Sequence, residues 1–356
     1  LLRRYIKQLK TARSNPAMHT HRSTACVSRI SLILLSAGMA ACGGGGGGGI
    51  AAVPADLVSI DAGNAETITR EVLSASFGSS DLGTVAGGDI LGADGGPSAL
   101  AVHLAGRRTI QAAGQAVSQA AGQVQPSANY GPEREDCLVS GTITLSASLA
   151  STDTLGRGDQ ITAVFANCND GDGAVYNGRL RIDVQGFTGD LFADRYQLDS
   201  RFTMTNLAIT EDGLTETGNG TLNVNMNLLT AGLESYAISA TRFELASGNT
   251  SWVFHDLVSS IDDDYRSGTW LTTVSESGSL ESSSFGGRVD YGTTTPFQSV
   301  DGSYPRVGVV RIDGANGTSV VGTALDEEDL QLAIDWTGDT VVDETRLMEW
   351  NTVPGW

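Results

Sequence analysis

Lysine is almost missing from this chain. Lys7 and Lys10 are the only two in 356 residues, and both lie in an N-terminal stretch unlike the rest. Residues 1–41 hold seven basic residues and no Asp or Glu, which leaves fifteen arginines against 41 acids in residues 42–356, a net charge of −26. A lysine-free domain cannot form a Schiff base or supply the lysine of a phosphate-binding loop. So negative a domain offers no basic face, which excludes nucleic acid as a partner. Histidine is also scarce, with only His103 and His255 beyond residue 41. Two distant histidines make no metal cluster, and a His-centred relay would have to use His255 in Trp252-Val-Phe-His-Asp256. The nucleophile elbow Gly-x-Ser-x-Gly is absent, so a hydrolase is the weakest functional reading. The apolar run Ile30–Ala41 is too short for a permanent membrane span.

That run nevertheless has the order of a secretory leader. The chain begins with leucine and its first methionine is Met18, so residues 1–17 read either as an over-extended gene model or as a long basic n-region. From Met18 a stretch carrying Arg22 and Arg29 precedes the apolar run, which ends in Met39-Ala-Ala-Cys42. These four residues resemble the lipobox of bacterial lipoprotein precursors. The resemblance implies that residues 1–41 are a signal peptide cleaved before Cys42, and that Cys42 receives a diacylglycerol thioether and an acyl chain on its new amino group. Two or three chains, at about 0.8 kcal/mol per buried methylene, give a stable anchor. Gly43–Gly49 follow as a side-chain-free tether, so residues 42–49 form a lipidated cysteine with a polyglycine spacer. Glycine rather than aspartate after the cysteine implies, by the family's sorting rule, the outer membrane, on either its periplasmic or its cell-surface side.

An extracytoplasmic address makes the remaining cysteines simple. Cys26 leaves with the leader and Cys42 carries lipid, so Cys137 and Cys168 are expected to pair in an oxidising compartment. Extended patterns over 139–149 and 161–166, joined by a turn-rich segment, allow an antiparallel register that sets the two opposite one another.

Residues 50–130 read as a helical and low-complexity region. Asn64 can cap a helix with apolar positions Ala65, Ile68, Val72 and Ala75, ending at Gly78. A second candidate starts at Pro97 and runs through Leu100, Leu104 and Ile110 before an Ala/Gln/Gly-rich stretch that reads as a linker leading to Cys137. Residues 131–356 read as an antiparallel β domain, in which the period is two from Cys137 onward. Leu180, Ile182 and Val184 alternate with Arg179, Arg181 and Asp183; Leu222, Val224, Met226 and Leu228 alternate with asparagines; Leu330, Leu332, Ile334 and Trp336 repeat the pattern. Each run predicts a strand with one buried and one wet face. Asn169–Gly173, Asp212-Gly213, Asn316-Gly317 and Gly338-Asp339 are turn signals between runs. A weak repeat links Ser140-Gly-Thr, Asn177-Gly-Arg and Asn219-Gly-Thr, spaced 37 and 42 residues apart. That spacing fits two long strands per unit. The fold expected is therefore mainly β, an extended antiparallel meander curled or barrel-like, with one or two short N-terminal helices packed on it. A transmembrane barrel is disfavoured by the Asn and Arg on the wet faces.

Tyr291-Gly-Thr-Thr-Thr-Pro-Phe297, Tyr304-Pro305, Arg311–Gly317 and Asp335-Trp-Thr-Gly-Asp339 through Trp350 resemble the close of a group of uncharacterised proteobacterial lipoproteins. The group implies fold and address and carries no activity. Among candidate sites, Asp335, Asp339 and Asp343 alternate with other residues as oxygen donors of a calcium loop do. Thr340 stands where such loops need glycine and Arg346 where they need glutamate, so the alternative is a polar hairpin turn. Asn169–Asp172 poses the same choice, and Asp262–Asp264 reads as a solvated strand end. The function expected is a non-catalytic envelope module, attached to the membrane through its lipid anchor, that binds a protein, glycan or lipid. A carrier that shelters an apolar ligand inside the curled sheet is the alternative.

Overall fold

The alternating runs are strands. A computed structural model of the chain describes residues 56–83, 128–150, 155–169, 174–190, 195–211 and 213–353. Cys42, the polyglycine tether, the Pro97 helix candidate and His103 lie outside the described residues. Among the described residues fourteen strands form one antiparallel sheet in which every strand is bonded to its neighbours in chain order. They are β1 (Ala128–Asp136), β2 (Ser140–Leu149), β3 (Gln160–Asn169), β4 (Val175–Asp190), β5 (Arg195–Glu211), β6 (Leu214–Asn227) and β7 (Leu233–Ser247). The second half comprises β8 (Thr250–Asp264), β9 (Leu271–Ser282), β10 (Gly287–Val300), β11 (Val307–Asp313), β12 (Ser319–Ala324), β13 (Asp329–Asp335) and β14 (Glu344–Glu349). Among the described residues the sheet is not closed, and β1 and β14 are its edges.

Inward positions are those the alternation marks. Leu180, Ile182, Leu222, Val224, Met226, Leu330, Leu332 and Ile334 are all buried. The outward positions Arg179, Arg201, Asn223, Asn227, Ser260 and Asp262 are exposed. A face of that composition cannot lie against hydrocarbon. Strand β1 departs from expectation, because it lies in the stretch before Cys137 that reads as linker. It is an edge strand, where proline is tolerated because an outward N–H has no partner to lose.

The helix predicted from Asn64 is α1 (Ala65–Gly83). Asp61 organises its entry, accepting from the backbone N–H of Gly63 (2.7 Å) and Asn64 (3.0 Å). Gly78 does not end it; an interior glycine costs only about 1 kcal/mol, less than packing can supply. From Ala65 to Ser76 every residue is buried or half-buried, the Glu66 side chain being the open one at 45 %, and the polar Thr69 and Ser76 are buried with Ile68, Val72 and Leu73. Helix α1 touches β7, β8, β9 and also β12. In a flat sheet β7 and β12 would stand five spacings, about 24 Å, apart, twice a helix diameter. The sheet therefore curls around α1. Arg346 on β14 closes the wrap by donating to the carbonyl of Ala62 (2.6 Å). Before the helix, Leu57 forms a parallel bridge with Arg288 of β10, and Ala315 N–H donates to the Val58 carbonyl (2.7 Å).

The curl has a visible cause in the weak repeat. Gly141, Gly178 and Gly220 hold the second position of the three copies, and all have positive φ (75°, 96° and 126°). Each sits at a register shift against the next strand. Asn167 on β3 and Asn206 on β5 are left-handed bulge residues with φ 50° and 46°. The Asn177 side chain accepts the Asn167 N–H (2.8 Å), and Asn219 accepts that of Asn206 (2.7 Å). Asp256 (φ 50°) and Gly278 continue the line between β8 and β9. These aligned bulges form a crease from β2 to β9, and bulges bend and twist the strands that carry them.

Cys137 and Cys168 lie within disulfide reach, with Cα atoms 5.4 Å apart and a sequence separation of 31. The bridge pins the β1–β2 turn to the end of β3, next to the first crease glycine. On the chain-entropy account a loop of this length contributes roughly 3–4 kcal/mol. A Cys137→Ser/Cys168→Ser variant is therefore expected to unfold at lower urea with an unchanged m-value; an unchanged midpoint would mean that the bond does not form.

Candidate binding surfaces and the acidic turn

The three aspartates proposed as calcium ligands fall in one hairpin, between β13 and β14. Asp335 accepts from Gly338 N–H (2.7 Å), Thr340 N–H (2.8 Å) and the Thr337 hydroxyl (3.3 Å). Asp343 Oδ2 accepts from the N–H groups of Trp336 (2.9 Å) and Thr337 (3.1 Å), while Asp339 accepts from Val341 N–H (2.9 Å). The oxygens expected to hold a cation are engaged by the turn's own amides, which makes the loop a carboxylate-braced hairpin. Among the described residues no group of three or more His, Cys, Asp or Glu is arranged to hold a metal ion. Of the other acidic candidates, Asp170–Asp172 lie outside the described residues, and Asp264 pairs with Arg266 (2.6 Å).

Desolvation raises the Asp335 pKa, but the Gly338, Thr340 and Thr337 donors outweigh it, so the carboxyl lies below the usual range. A group depressed in the fold stabilises fully above its unfolded value, about 3.9, and loses that contribution as pH falls through the folded value. Asp335→Asn is therefore expected to lower the melting temperature at neutral pH and to flatten its fall below about pH 4. A melting profile parallel to that of the parent chain across that window would refute the role.

His255 projects from the outer face of β8 and lies 3.5 Å from Glu281. The serine opposite it in register, Ser279, donates its hydroxyl to Asp290 (2.5 Å), not to the imidazole. The two are not joined as base and nucleophile.

Several inward carboxylates were not singled out from the sequence. Asp263, taken with its neighbours as solvated, is 2 % exposed and accepts from Trp270 Nε1 (3.0 Å) and the Thr272 hydroxyl (2.5 Å). Burial raises its pKa against these donors. Glu276 accepts from the Tyr291 hydroxyl (2.5 Å), and burial pushes that phenol upward with help from the adjacent carboxylate. On α1, Glu71 accepts from Trp252 Nε1 (2.6 Å) and the Ser282 hydroxyl (3.3 Å), fastening the helix to β8 and β9. Parity would have found the first two: Asp263 is in phase with Leu257, Ser259 and Ile261, and Glu276 with Val274.

Beside Trp252 a cleft of about 300 Å³, including its open mouth, lies between the ends of β5 to β8. Leu207, Ile209, Leu245 and Trp252 line it with Gly218, and Glu216 contributes the charged group. Most of that space is open to solvent, and the enclosed part has room for about one water, well short of a small-molecule site. No family model, no curated protein and no solved structure matches this chain. Geometry and sequence alone therefore carry the functional reading.

Proposed function

We propose that this protein is a non-catalytic binding module of the outer membrane, anchored through lipidated Cys42 and presenting the exterior of a helix-filled curled sheet to a partner. The observation that carries the binding part is the burial of α1. The interior that a carrier would keep for its cargo is occupied by the chain's own Ile68, Val72 and Leu73. The polar exterior is left as the working surface. The lipobox resemblance and the glycine tether support the anchor, and the Cys137–Cys168 pair is consistent with an oxidising compartment.

Fractionation of cells making a Cys42→Ser variant tests the anchor. The variant is expected in the soluble fraction and the parent chain in the outer membrane; a variant that still sediments with the outer membrane would overturn it. Native mass spectrometry separates binder from carrier. The intact protein is expected without a second lipid beyond its own acyl chains, and a stoichiometric lipid would put the carrier first.

A further inference from the structure

The two edges of the sheet are built differently. Strand β1 is blunted by Pro132, by a register shift between Tyr130 and Glu133, and by the charges of Glu133, Arg134, Glu135 and Asp136. Those are the devices by which sheets avoid adding strands. Strand β14 has neither proline nor bulge, and pairs with β13 without interruption from Glu344 to Glu349. Trp350 N–H donates to the Glu328 carbonyl (3.0 Å). That phase makes Met348, Arg346 and Glu344 the residues bonded to β13 and turns the N–H and C=O groups of Thr345 and Leu347 to the open side. Leu347 is 63 % exposed, and Val341 and Val342 in the preceding turn are 61 % and 52 % exposed.

Charge decides what fits this edge. Residues 326–349 contain nine acids and one arginine. Asp326, Glu328, Asp339, Asp343 and Glu349 are exposed there, and Arg346 is paired with Glu344. A second copy of the chain would bring the same acidic surface against it, and like charges across an interface oppose pairing. We infer that β14 is the docking edge for a basic extended segment of another envelope protein, added to the sheet as a further strand. Its backbone would pair with Thr345 and Leu347, its apolar side chains would cover Leu347, and its cations would face the acidic rim. This deepens the binding-module reading and does not depend on whether Cys42 is acylated.

The test uses the intact chain in mild detergent and fluorescein-labelled acetyl-(Lys-Val)4-amide, followed by anisotropy. Saturable binding is expected, with none for the (Glu-Val)4 counterpart. Leu347→Pro removes an N–H that β13 does not use, and it is expected to weaken binding at least tenfold while the melting temperature stays within a few degrees. A (Lys-Val)4 peptide N-methylated at alternate residues keeps the charge and loses the pairing donors; it is expected to lose binding to the parent chain as well, a readout independent of how the variant folds. Equal binding of the methylated and unmethylated peptides would reduce the interaction to charge and overturn the inference, as would no binding by either. Dimerisation of the intact chain that Leu347→Pro abolishes would assign the edge to self-pairing instead. Failure of the peptide arms with a lipid-free native mass would refute the edge alone, whereas a bound lipid would refute the binding-module reading.

Discussion

Gly178→Ala is expected to destabilise the fold by about 4 kcal/mol or more, in the range reserved for severe single substitutions. The residue has φ 96°, and a Cβ on it would overlap the backbone carbonyl of Asn206 on the facing strand. Gly158 provides the control, with φ 97° and nothing within 4 Å of the added carbon. Both substitutions carry the left-handed penalty of about 1–2 kcal/mol, so the difference between them isolates the close approach at the crease. For a domain of this size, Gly178→Ala should lower the melting midpoint by roughly 10 °C and Gly158→Ala by only a few degrees. Similar losses at the two sites would mean that the facing strands do not approach closely along the crease.

The crease also marks where sequence reading stopped. The repeat Ser140-Gly, Asn177-Gly and Asn219-Gly is visible as a spacing and signals long hairpins. Its physical meaning lies in what each glycine faces, and that is set by partners up to 28 residues away, such as Asn206 opposite Gly178. Local pattern carried the strands themselves, because burial on one face imposes a period of two on every residue between turns. It failed at β1, whose Pro132 and charges of 133–136 are edge-strand chemistry in a stretch that reads as linker. It failed at Asp263 because composition was weighed ahead of parity. The alternation in Asp335–Asp343 was legible, but its oxygens serve the hairpin's amides, a role that the spacing of donors cannot distinguish from metal ligation.

Val72→Asp carries the second large expected effect. Val72 is fully buried where α1 meets the curled sheet. An aspartate there would bury a carboxylate among apolar neighbours, at a cost of several kcal/mol. The expected result is a melting midpoint lower by about 10 °C or more at pH 7 and increased proteolysis of the strands around α1. Because protonation removes the charge, Val72→Asp should regain part of the loss relative to the parent chain as pH falls from 7 to 5. Val72→Ala, which leaves a cavity without a charge, should show no such recovery. A Val72→Asp protein as stable as its parent at pH 7 would place α1 outside the sheet and reopen the interior to cargo.

The proposed function joins a lipid anchor at Cys42 to a curled sheet that buries Ile68, Val72 and Leu73 of its own helix. Native mass spectrometry of the protein extracted from outer membranes in mild detergent tests both halves in one spectrum. The expected mass is that of a polypeptide beginning at Cys42 with the Cys137–Cys168 bond formed, a diacylglycerol thioether and an N-acyl chain on Cys42, and nothing further bound. An unacylated Cys42 or a stoichiometric additional lipid would contradict it.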